Sequence, residues 1–265
     1  MFSNQKRYHG YASTPLLWST ILDELQQFSI STIYDQLPQS PKGHIRLGKL
    51  VEQFVLHEFK NDLAVTLIAS NYQVQDGTLT IGELDGLFVK DEQPVHLEIV
   101  YKFYLYDDSV GSSFLEHWIG PNRRDSLVKK LNKLKHKQLP LLYHPITQQW
   151  LKSLGYQAED FMQYVCFKAQ LFLPYGSDLQ DISPLNPDCI QGFYLRPEQL
   201  IDFKDCKFCI PLKLDWLMDI PIQIDWMTYE HFSARITEFM SEKSAPLCWI
   251  KRPNGETTKC FVIWW

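Results

Sequence analysis

Leu47, Leu50, Val51, Phe54 and Val55 recur at the three-to-four-residue spacing of a buried helix face, which predicts a helix from about 46 to 60. Glu52 falls at the edge of that stripe. Upstream, Thr14-Pro15 reads as a helix cap and first-turn proline, with Leu17, Ile21, Leu25 and Phe28 following at helical spacing. Residues 1–13 read as a poorly ordered arm, and 37–44 (LPQSPKGH) as a loop. Three strand-like segments come next: 63–70 (LAVTLIAS), 78–89 (TLTIGELDGLFV) after an Asp76-Gly77 turn signal, and 95–106 (VHLEIVYKFYLY). A basic amphipathic helix is predicted after Gly120-Pro121, ending near Gln138 with Leu127, Leu131 and Leu134 on its inner face. A fourth strand follows at 164–173. Beyond Pro174, short apolar runs are broken by Pro184, Pro187, Pro197, Pro211 and Pro221. A helix over about 228–243 and a terminal hairpin turning at Asn254-Gly255 close the pattern.

The order helix, three strands, helix, strand predicts an α/β fold, a mixed sheet flanked by helices, with a C-terminal α+β extension. The expected partition is a helical arm over 1–45, a core over 46–173 and an extension or small subdomain over 174–265. With 265 residues, 45% hydrophobic and 22% charged, a mainly disordered chain is excluded. The 14% aromatic content points to bulky core packing. The net charge of -5 gives no global reason to expect a nucleic-acid or membrane partner. The first residues lack the apolar run of a signal peptide, and no stretch approaches the ~18 apolar residues of a membrane span. The six cysteines are therefore expected as reduced thiols in a cytoplasmic protein with no membrane association.

The candidate chemistry lies in Gly82-Glu83-Leu84-Asp85-Gly86 and His96-Leu97-Glu98-Ile99-Val100-Tyr101-Lys102. Strand alternation puts Glu83 and Asp85 on one face, and His96, Glu98, Val100 and Lys102 on one face of the next segment. Carboxylates set in such apolar strands are costly unless paired or metal-bound. Two of them on adjacent strands can hold a hard cation such as Mg²⁺, and a lysine nearby can stabilise developing negative charge. The order of these residues resembles the PD-(D/E)XK nuclease superfamily over about 46–173. The resemblance implies a restriction-endonuclease-like core, with Glu52 as the helix acid, Asp85 and Glu98 as the Mg²⁺ ligands, and Lys102 assisting the attacking water. The runs GELDGLFV, HLEIVYKFYL and GPNRRDSLVKKL resemble more closely, over most of the chain, an uncharacterised bacterial domain-of-unknown-function family, number eighteen fifty-three. What the nuclease-like resemblance implies is Mg²⁺-dependent hydrolysis of phosphodiester bonds in DNA or RNA. The sequence departs from the superfamily pattern at Val100, where the lysine would stand. Lys102 keeps the face but sits about 13 Å along the strand from Glu98 at ~3.3 Å per residue. A strand bulge, or a lysine from the basic helix, would remedy this. The alternative reading of Glu98 and Lys102 is a structural ion pair. Glu83 is expected at the rim of the site, and His96 as a hydrogen-bonded strand residue.

Between Pro121 and Gln138 there are seven basic residues, including Arg123, Arg124, Lys129, Lys130, Lys133 and Lys137, against one acid, Asp125, for a local net charge of +6. This is a candidate phosphate-backbone surface, with a solvated helix face as the alternative. Cys206 and Cys209 have zinc-knuckle spacing but no second pair, so two reduced thiols are expected. Two further readings stand beside a nuclease: a catalytically inactive nucleic-acid-binding module of the same fold, and a protein-interaction module using the Pro- and Trp-rich second half.

Overall fold

The first helix, α1 (Asn4–Ser13), lies where the pattern predicted an arm. The Ser3 side chain caps its start by accepting from the Lys6 N–H, and its buried face is Arg7, Tyr8, Gly10 and Tyr11. An arginine and two tyrosines do not register as an apolar stripe, so burial rather than hydropathy defines this helix. The computed structural model describes residues 3–30 and 45–265, so the loop expected at 37–44 lies outside the described residues. The helix predicted after Pro15 does not form. In its place β1 (Ile21–Leu22) and β2 (Leu25–Gln26) make a small antiparallel hairpin, turned by Asp23 and Glu24 at positive φ. Leu22 is buried and Ile21 is 64% exposed, the alternation of a strand. Main-chain hydrogen bonds from Leu17 to Phe167 and from Phe28 to Val165 reward an extended chain here, which overrides the helical spacing.

The next elements follow the predicted order. Helix α2 (Leu47–Asn61) buries Leu50, Val51, Phe54, Val55 and Phe59, with Glu58 also inside. Strands β3 (Val65–Asp76), β4 (Leu79–Lys90) and β5 (Gln93–Tyr106) form an antiparallel meander, joined by a turn at Gly77 and one at Asp91 and Glu92, all at positive φ. A short β6 (Trp118–Ile119) pairs with the end of β5. The basic segment is less regular than predicted. Helix α3 covers only Leu127–Lys133, and a π-helical turn (Leu134–Gln138) and a 3-10 turn (Leu139–Tyr143) follow. Leu127, Leu131 and Leu134 are buried as the spacing required. Then come α4 (Pro145–Ser153), β7 (Met162–Pro174), β8 (Ile190–Leu195), β9 (Lys207–Cys209), α5 (Tyr229–Ser241) and a terminal hairpin of β10 (Leu247–Lys251) and β11 (Thr257–Val262).

The protein is thus mixed α/β, with a large sheet of parallel and antiparallel pairs flanked by helices. The chain divides into two compact units that interleave along the sequence rather than following it. One comprises Leu16–Tyr101 and Lys129–Lys168. Its core gathers Val74, Leu84, Leu87, Leu142, Leu151 and Phe161, with Tyr72 stacked on Trp150 at 3.8 Å. The other comprises Met1–Pro15, Lys102–Val128 and Ala169–Trp265. Its strands pair in the order β8-β11-β10-β9, the first pair parallel, over a core that includes Phe203, Phe208, Phe232, Ile236 and Val262. Within it, Arg7 meets Asp215 through Nε at 2.8 Å and Nη2 at 2.7 Å, both side chains buried, which anchors α1. All six cysteines are free thiols, and Trp265 packs back, donating its indole N–H to the Pro121 carbonyl at 3.0 Å.

Candidate functional site

The β4–β5 ladder holds from Lys90↔Gln93 to Gly86↔Leu97. At the next residue of β4 the side chain takes over from the main chain, and Asp85 Oδ2 accepts the Ile99 N–H at 2.9 Å. That bond turns the carboxylate into the interior, where Asp85 is 8% exposed. Glu98, between two apolar residues of β5, is fully buried. Its Oε1 lies 3.2 Å from His96 Nε2, and its Oε2 accepts from the Gln138 amide. Gln163 Nε2 donates to His96 Nδ1 at 2.9 Å and to the Leu139 carbonyl at 2.8 Å. With Nδ1 accepting, Nε2 carries the proton and donates to Glu98. Lys130 Nζ closes the chain by donating to Gln138 Oε1 at 2.6 Å. The π-helical turn supplies this register, because it widens the backbone before Gln138 and presents the amide to Glu98. Gly82 packs β4 directly on the 3-10 turn that follows, where a Cβ would run into the Leu141 side chain.

A second group of oxygens adjoins Asp85. Ligand atoms of Glu52 on α2, and of Glu83 and Asp85 on β4, all lie within 4.8 Å of one another, a grouping of three potential metal ligands unique among the described residues. Glu52 reaches it from the edge of the apolar stripe of α2, one turn after Lys49. Lys49 Nζ bridges Glu52 Oε2 (2.7 Å) and Glu83 Oε1. Asn71 Nδ2 donates to the same two oxygens at 2.6 and 3.1 Å. Asn71 does this from a positive φ of 50° in the middle of β3, a conformation asparagine tolerates better than most residues.

Electrostatics separate the two groups. Burial, reinforced by the neighbouring Glu98 charge, pushes Asp85 up from 3.8 to about 8. Burial also raises Glu98 from 4.5 to about 7, against the opposing pull of Lys130 and Lys133. Burial lowers His96 to about 4, so its ring is neutral at neutral pH. For Glu83, burial acts upward but is outweighed by hydrogen bonds from Lys49 and Asn71, and its pKa falls. Burial likewise works against the Lys49 charge, yet Glu52 and Glu83 hold it on and its pKa rises. Glu83 is therefore ionised, whereas buried Asp85 keeps a proton near neutral pH until a cation compensates it.

Glu52, Asp85 and Glu98 lie in one compact unit; Glu52 and Asp85 contribute to the three-carboxylate group, but Glu98, expected as a Mg²⁺ ligand, is not part of it. Glu83, expected at the rim only, stands among the potential ligands. Lys102 is a correction. It falls in the other unit, where its ammonium is held by Asp125, and four residues of strand carry it too far along β5 for the expected role. The cations that act on Asp85 and Glu98 are Lys130 and Lys133 from the basic segment. Arg123 and Arg124 precede α3 instead of lying on it, and Arg123 is ion-paired with Asp107 at 2.8 Å and stacked over Trp265 at 4.4 Å. Lys129, Lys133 and Lys137 are exposed. Lys49, Asn71, Gln138 and Gln163 carried no motif. Only Lys49 could have been found, three residues before Glu52 on the same helix.

Fold and site together define an α/β protein with an oxygen-rich acidic cluster backed by a buried carboxylate network. The chain matches a domain of unknown function (DUF1853) over residues 6–263, and it belongs to that family. No curated protein and no solved structure matches it. Among the described residues, no helix is long and apolar enough to cross a membrane.

Proposed function

We propose that this chain is a Mg²⁺-dependent nuclease with a PD-(D/E)XK-like, restriction-endonuclease-like core. The observation that carries the reading is the convergence of Glu52, Glu83 and Asp85 oxygens from a helix and a strand within 4.8 Å. Three hard carboxylate oxygens are the donor set that suits Mg²⁺. Mg²⁺ held by these residues would polarise a phosphodiester and make a bound water more acidic. Asp85, with one oxygen fixed by Ile99, is the buried member that gains most from a cation, since only a cation lets it ionise near neutral pH. Glu98 takes or releases a proton near pH 7, the range of a general base, with His96 and Gln138 holding its two oxygens in place. Lys130 replaces Lys102 as the lysine of the site, acting on Glu98 through Gln138. Exposed Lys129, Lys133 and Lys137 would meet the phosphate backbone of DNA or RNA without reading sequence. The test is cleavage of single- and double-stranded DNA and RNA with and without Mg²⁺. Wild type should cut, Asp85→Ala and Glu83→Ala should not, and Lys130→Ala should be slowed while Lys102→Ala is not. Equal cleavage by the acid variants would remove the cluster from the reaction.

The engagement of Lys102 by Asp125 favours a second reading, a nucleic-acid-binding module without cleavage. Binding that weakens with salt but ignores Mg²⁺, and that is lost on replacing Lys129, Lys133 and Lys137 together, would support it.

A further inference from the structure

Lys49 occupies a particular place in the acidic cluster. Its ammonium touches one oxygen of Glu52 and one of Glu83, and these two residues, with Asp85, make up the candidate cation-binding group. The Asn71 amide donates to the same pair of oxygens, so each accepts from one charged and one neutral donor. The Lys49 side chain is 47% exposed, and its four-carbon stem can swing into solvent without disturbing the core. Asn71 is fixed to the β3 backbone and cannot leave in this way.

We infer that Lys49 is a tethered counter-ion that competes with a divalent cation for Glu52 and Glu83. The inference deepens the cation-site reading above and rests on it. Without the cation, the ammonium neutralises two carboxylates that would otherwise repel each other beside Asp85. With the cation, the ammonium is displaced, because the divalent ion draws on the same two carboxylates and repels a positive charge held beside it. Lys49 thereby sets a threshold: the site fills only above a cation concentration that displaces the ammonium. Asn71 is neutral and stays in both states, holding Glu52 and Glu83 at one spacing.

The experiment measures Mg²⁺ and Mn²⁺ binding by calorimetry on the full chain, without nucleic acid, for wild type, Lys49→Met, Lys49→Arg and a control, Lys60→Met, at the far end of α2. Lys49→Met should bind the cation more tightly, by about five-fold for each ion pair removed, while Lys49→Arg stays near wild type and Lys60→Met is unchanged. Thermal melting gives an independent readout: without divalent cation Lys49→Met should melt below wild type, and the cation should raise its melting temperature further than that of wild type. If wild type binds and Lys49→Met binds equally or more weakly, the competition is refuted and the cation site stands. If neither protein binds a divalent cation, the cation site itself fails and the inference falls with it.

Discussion

Replacing Asp85 by asparagine tests the electrostatics of the cluster without any assumption about function. Asparagine keeps an oxygen to accept the Ile99 N–H and is nearly the same size, so packing is preserved. It cannot ionise. In the unfolded chain Asp85 loses its proton near 3.8, whereas in the folded protein burial and the neighbouring Glu98 hold it to about 8. The folded state therefore binds the extra proton between those values. Its contribution to stability is complete below about pH 4 and is lost as the pH rises to 8. At ~1.36 kcal/mol per unit, the interval between 3.8 and about 8 corresponds to a ceiling of ~6 kcal/mol, part of it shared with Glu98. Asp85→Asn removes that loss. Above pH 8 it should be the more stable protein, by up to ~20 °C in melting temperature at about 2–4 °C per kcal/mol, and the two should converge toward pH 4. The assay is thermal unfolding across about pH 4–9 in EDTA, followed by circular dichroism. Mg²⁺ at pH 8 should stabilise wild type more than the variant. Parallel melting curves at every pH would show that Asp85 is not held protonated and would undo the argument.

Four other outcomes follow from the structure. Gln138→Leu leaves Glu98 Oε2 without its amide donor and removes the Lys130–Gln138 hydrogen bond, and should cost ~1–3 kcal/mol in urea denaturation. Arg7→Ala strands the buried Asp215 carboxylate and should cost ~3–5 kcal/mol, whereas replacing both residues by apolar ones of similar volume should recover much of it. Gly10→Ala should destabilise the unit that contains α1, because the added Cβ meets the Leu217 main-chain oxygen, and limited proteolysis would reveal a loosened N terminus. Glu98→Gln should shift any cleavage optimum or stability change centred near pH 7; an unaltered profile would show that this carboxyl does not titrate there.

Glu52, Asp85 and Glu98 were legible as candidates because a carboxylate in an apolar run, or at the edge of an apolar stripe, has few inexpensive explanations. Glu83 was visible too, but strand alternation says only that it shares a face with Asp85, not that a helix will approach that face. Lys102 shows the converse. Its ammonium pairs with Asp125, and alternation carries no information about which residue stands opposite after four positions. The π-helical turn had no sequence signal, and Gln138 is an ordinary polar residue until that turn directs it at Glu98.

The order of the central elements was written locally. Helix α2, the β3–β5 meander, β7, α5 and the last hairpin each follow from period and turn residues within their own span, because hydrogen bonding within a helix or tight hairpin needs only neighbours. The segment after Pro15 was not, since its extended form depends on main-chain partners at Val165 and Phe167, more than a hundred residues away. Helix α1 depended likewise on a distant partner, Asp215, for its arginine. The same holds for the acids. Sequence put each carboxylate on its element, but the distance between them, the burial that keeps Asp85 protonated, and the lysine that faces each one are properties of packing. Charges interact through space, and only the folded chain sets that space.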